Sequence, residues 1–130
     1  MEKRPSRTQT AKVASLRRGE IYLVSFDRTV GHEIKKTRPA LIIQNDVGNR
    51  YSPLTIVAAI TSKVSPVLYP VEVIAQPTKA NGLEALSAVR LDHIRTVDKR
   101  QLVKRLGMLD PLNLQRVDQA IQISLGLAEI

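Results

Sequence analysis

No cysteine occurs among the 130 residues, which excludes disulfides, iron–sulfur ligation and thiol nucleophiles. With only two histidines a zinc site is not expected, nor is any other metal or cofactor. Tryptophan is absent and the other aromatics are one Phe and three Tyr, so the core must be built from Val, Ile, Leu and Ala. Aromatic stacking platforms, common in proteins that bind single strands, are a poor expectation here. No apolar run reaches the roughly 18 residues that a membrane span requires. The basic N-terminus has no apolar stretch of the kind a secretory signal carries. A soluble, cytoplasmic protein is the expectation.

What is present is basic. The net charge is +8 and the pI about 10.2, which points to a polyanionic partner. The charge is unevenly spread. Residues 1–18 carry six basic side chains against Glu2 alone, a net of +5, while the remainder holds 14 basic and 11 acidic residues. A mildly basic body behind a basic arm fits a solvated surface as well as a nucleic-acid binder.

Residues 1–16 lack sustained periodicity and read as a flexible basic extension, with one domain over 17–130. In GEIYLVSF, Ile21 and Leu23 alternate with Tyr22, Val24 and Phe26, which predicts a strand covered on both faces. DRTVGHEIKKT reads as a loop, and Pro39 as the opening of a second strand, ALIIQN. DVGNRYSP reads as another loop, and LTIVAAIT as a central strand. YPVEVIA, SAVRLDHI and LVKRLGML supply further strands. Asp110-Pro111 caps a terminal helix in which Leu114, Val117, Ile121 and Leu125 recur at helical spacing. Short strands closed by one helix predict a mainly β fold, a small and partly closed barrel with a C-terminal helix.

RNA carries its own nucleophile, the 2′-hydroxyl, so a protein can cut it with a cation, a hydroxyl and a route for protons. Arg38 stands at the mouth of a strand with its backbone restricted by Pro39, and Thr61-Ser62 ends the apolar run IVAAI. Antiparallel pairing of these strands would bring Arg38 and Thr61 together. Taken singly, a surface ion pair for Arg38 and a strand-end hydroxyl for Thr61 are the more ordinary readings.

The compound motif RPALIIQND followed by IVAAIT, behind RRGEIYLVSF and GHEIKKT, resembles the MazF/PemK family of toxin–antitoxin ribonucleases. Weaker similarity runs on through HIRTVDKRQLVKRLG and the final helix, so the resemblance spans about residues 17–127. It implies an SH3-like barrel shared with CcdB toxins, and a homodimer with single-stranded RNA across its interface. It also implies an acidic, partly disordered antitoxin that covers the groove. Arg38 and Thr61 are then the catalytic pair, and the products a 2′,3′-cyclic phosphate and a 5′-hydroxyl. Electrostatic stabilisation is the safer role for Arg38, since its pKa above about 12 makes a neutral guanidinium costly.

The same resemblance places Glu20 where the family has an acidic residue, either orienting Arg38, contacting a base or satisfied at a strand end. His32, Lys35 and Lys36 fall in the loop that covers RNA in relatives, where His32, Ile34 and Lys35 depart from the small or amide residues common there. Asn45, Ser62, Lys63 and Arg95 complete the set of candidate RNA contacts. The rival reading is a CcdB-like, non-enzymatic toxin that binds gyrase through its terminal helix. The tail SLGLAEI lacks the aromatic anchor this would need. A basic RNA-binding module without activity is a third reading.

Overall fold

Alternation in the first strand decides the architecture. In the computed structural model, which describes residues 16–26 and 37–129, Ile21 is buried in one apolar cluster. Tyr22 and Val24, with Phe26 against them, enter another. The strand therefore has a core on each side, as its pattern predicts.

Among the described residues six strands form one antiparallel sheet: β1 (Glu20–Ser25), β2 (Thr37–Ile42), β3 (Leu54–Thr61), β4 (Glu72–Ala75), β5 (Ser87–Asp98) and β6 (Leu102–Met108). Their spatial order is β4-β5-β3-β2-β1-β6, so the sheet is open, with β4 and β6 at its edges. Register shifts in the β1–β6 and β3–β5 pairs mark bulges, which bend and twist a sheet. The turn after β4 reaches the far edge, where the Met108 N–H donates to the Ala80 carbonyl at 2.9 Å. The barrel expected from the sequence is thus a curved sheet drawn together at one corner.

Two α-helices and a short 3-10 turn at Lys99–Gln101 complete the described residues. Residues 46–51, expected as loop, form a short helix, α1 (Asp46–Tyr51), whose N-cap Asn45 accepts from the Gly48 N–H at 2.8 Å. The terminal helix, α2 (Pro111–Ser124), starts as read, with the Asp110 carboxylate accepting from the Asn113 N–H at 3.0 Å. Val117 and Ala120 on α2 are buried in the first cluster, with Leu114 and Ile121 packed beside them.

Other boundaries moved. β2 begins at Thr37, ahead of Pro39; its register with β3 starts only at Ala40, just past the residue that has no N–H. Leu16, placed in the extension by the sequence reading, is buried in the second cluster. The rest of that extension lies outside the described residues.

A polar knot holds α1 to the sheet. Asn49 is fully buried; its Nδ2 donates to the Gln44 carbonyl and the Asp46 carboxylate, and its Oδ1 accepts from Gln44 and from the Thr55 hydroxyl at 2.7 Å. The Asn49 carbonyl also accepts from the buried Lys99 ammonium, whose pKa burial pushes down. The backbone N–H of Arg18 donates to Asp46, the largest cause of that carboxyl's lowered pKa.

Candidate functional site

β2 and β3 carry Arg38 and Thr61 to the same end of the sheet. The pairs Ala40↔Ala59, Leu41↔Ala58 and Ile42↔Val57 fix the register. The ladder between β2 and β3 ends there; two residues further on, Arg38 pairs with Val24 on β1 and Thr61 with Ala88 on β5. Both side chains reach one cleft from these neighbouring strands.

Arg38 is exposed, and among the described residues its guanidinium makes no hydrogen bond or ion pair. The Thr61 Oγ1 accepts from the Lys63 backbone N–H at 3.0 Å. That bond orients the hydroxyl and leaves its proton free to be donated.

Both side chains line a cleft of about 390 Å³, together with Pro39, Ser62 and Lys63. Leu23, Ile60 and Leu106 form an apolar floor, and the turn leading into β5 supplies the facing wall through Gly82, Leu83, Glu84, Ala85 and Ser87. This wall is fixed by close packing. Gly82 has φ +71°, and a Cβ there would fall 2.1 Å from the Leu106 carbonyl oxygen; one on Gly107 would fall 2.2 Å from that of Ala80. Only glycine permits such backbone contact.

The remaining candidates are dispersed. Ser62 and Lys63 are exposed in the cleft. Glu20 is not: it is 6% exposed, accepts from the Arg17 N–H and pairs with the Arg105 guanidinium, each at 2.6 Å. It starts β1 four residues before Val24, the partner of Arg38, or roughly 13 Å along the strand at about 3.3 Å per residue. The structure therefore does not bring Glu20 to Arg38. Asn45 lies past the other end of β2 and caps α1. Arg95, on β5, has its guanidinium 4.9 Å from the centre of the Phe26 ring. His32, Lys35 and Lys36 lie outside the described residues.

Sequence reasoning missed Glu84 and the wall that carries it. Asn81-Gly82 could be read as a turn, but nothing local says that the turn crosses the sheet to meet Leu106. A guanidinium with five directed donors beside a hydroxyl can hold a phosphate group and stabilise charge on it. Among the described residues no three His, Asp or Glu side chains are grouped where they could hold a metal ion, and no helix is long and apolar enough to cross a membrane.

Comparison with known proteins gives the family and the fold. Residues 17–125 match the family model described as PemK-like, MazF-like toxin of type II toxin–antitoxin system. Endoribonuclease EndoA of Bacillus subtilis (strain 168) is 41% identical over 114 residues, 88% of this chain and 97% of that protein. MazF from Deinococcus radiodurans superposes with a TM-score of 0.67 at 27% identity, covering 85% of this chain and 96% of that one. An endoribonuclease in complex with its cognate antitoxin, from mycobacterial species, gives 0.70 at 24% identity, covering 89% and 100%, a likeness of fold. The chain belongs to the PemK-like, MazF-like family of type II toxin–antitoxin toxins.

Proposed function

We propose that this chain is an endoribonuclease toxin that cuts single-stranded RNA without a metal, leaving a 2′,3′-cyclic phosphate and a 5′-hydroxyl. The observation that carries the reading is that Arg38 on β2 and Thr61 at the end of β3 line one cleft. The name of the Bacillus relative supports ribonuclease activity over the gyrase-binding alternative.

In the reaction the 2′-oxygen attacks phosphorus, its proton passes to a base, and the 5′-oxygen leaves as it gains a proton. Arg38 stays charged and donates to the non-bridging oxygens as charge builds on them. The Thr61 hydroxyl, oriented by the Lys63 N–H, donates to the same phosphate. Neither is assigned as the base. Ser62 and Lys63 extend the phosphate track along the cleft.

The working unit is a homodimer, in which two mildly basic bodies join their clefts into one longer track for RNA. An acidic antitoxin occupies that track and blocks cutting, as supported by the mycobacterial relative in complex with its cognate antitoxin. A toxin that acts on RNA works in the cytoplasm.

The test is direct. Purified protein is incubated with a mixed-sequence single-stranded RNA in EDTA, and the fragment ends are analysed. Cyclic-phosphate ends are expected; intact RNA, or fragments that appear only when a divalent cation is restored, rejects the reading.

A further inference from the structure

The cleft holds one group that a phosphate track does not explain. Glu84 lines the same cleft as Arg38 and Lys63, is exposed, and among the described residues makes no hydrogen bond or ion pair. A free carboxylate repels a polyanion, so its presence needs a reason beyond solubility.

The way it is presented supplies one. The preceding residue, Leu83, is buried in the core, and Ser87, three residues on, is buried with its hydroxyl donating to the Ala85 carbonyl at 2.9 Å. Behind them Asn81, 3% exposed, binds the turn from within: its Nδ2 donates to the Gln76 carbonyl, and its Oδ1 accepts from the N–H groups of Thr78 and Leu83. Glu84 therefore projects from a backbone anchored on both sides. Pre-organisation of this kind lowers the entropy cost of a directed contact.

We propose that Glu84 reads a nucleobase beside the scissile phosphate, accepting from its Watson–Crick donors. The inference rests on the ribonuclease reading and names part of its substrate specificity. In a single strand the Watson–Crick edge is exposed. Guanine offers N1–H and N2–H₂ side by side, matching the two carboxylate oxygens, and cytosine and adenine each offer one amino group. Uracil flanks its single N–H with two carbonyls, which a carboxylate repels. Glu84 thus favours guanine, accepts cytosine or adenine less well, and rejects uracil.

The experiment sequences the fragment ends released from a randomised RNA pool by the wild type, Glu84→Ala and Glu84→Gln, each checked for folding by thermal melting. The wild type should disfavour uracil by about 10-fold or more at one position of the cut site. Glu84→Ala should flatten that position alone. Glu84→Gln, which carries a donor as well as an acceptor, should shift it toward uracil. An unchanged consensus in both variants overturns the proposal, and so does loss of cutting at every sequence in both, which would assign Glu84 to the chemistry. A wild type that cuts no RNA fails at the earlier step and is thereby told apart.

Discussion

Arg38 and Thr61 line one cleft, each two positions beyond the Ala40↔Ala59 pair at which the ladder between β2 and β3 ends, with Arg38 held opposite Val24 on β1 and Thr61 opposite Ala88 on β5. The relation is set by strand register alone, so it depends on the cores that hold that register. A slip of one residue would turn every side chain of β2 to the other face and part the two groups.

Glu20 should act through stability. Its carboxylate is buried, and both contacts described for it are to protein groups, the Arg17 N–H and Arg105. Arg105→Ala leaves the charge half satisfied and should cost about 1–2 kcal/mol, less than a fully buried pair because the Arg105 side chain is 50% exposed. Denaturant unfolding measures the loss, while kcat/KM on a fixed RNA should change by less than about threefold, an effect below about 1 kcal/mol.

Asn49 should be the costliest polar residue to remove. Asn49→Ala deletes four hydrogen bonds from a fully buried site and strands the Thr55 hydroxyl. A loss of about 3 kcal/mol is expected, read as a drop in melting temperature of about 10 °C.

Much of this fold is legible in the residues. The run LTIVAAIT coincides with β3, and Asp110-Pro111 marks the start of α2, because apolar continuity and capping are local signals. That Arg38 and Thr61 reach one cleft could be read from their places at strand ends. α1 was hidden because a six-residue helix shows no periodicity, and it is held by Asn49 meeting Thr55 on the next strand and Lys99 fifty residues along the chain. Glu84 was hidden for the same reason: its place in the cleft depends on Gly82 meeting Leu106 across the sheet.

Gly82→Ala should damage both fold and cleft. It forces a side chain into a φ of +71° and against the Leu106 carbonyl. A cost of about 2 kcal/mol or more is expected, with weaker RNA binding from displacement of the Glu84 wall. Thermal melting and RNA affinity should fall together.

Stability should fall on acidification. The N–H of Arg18 lowers the Asp46 pKa, and the N–H of Asn113 lowers that of Asp110, both from 3.8. The folded state therefore binds fewer protons, so these contributions are full above about pH 4 and fade as pH drops through the folded values. Lys99 acts at the alkaline end. Burial lowers its pKa below 10.5, so the unfolded chain holds that proton longer and stability rises with pH in the interval just under 10.5. Chemical denaturation across pH should recover both limbs, and Lys99→Met should remove the alkaline one.

The most direct measurement compares RNA cleavage by the wild type, Arg38→Ala, Arg38→Lys and Thr61→Val at equal folded concentration. Each alanine or valine variant should lose about 100-fold or more in kcat/KM. Arg38→Lys, which keeps the charge without the forked donors, should recover little of it. Melting temperature should barely move for the Arg38 variants, since that side chain is exposed and makes no described contact within the protein. An Arg38→Ala protein that cuts RNA at the wild-type rate would contradict the account.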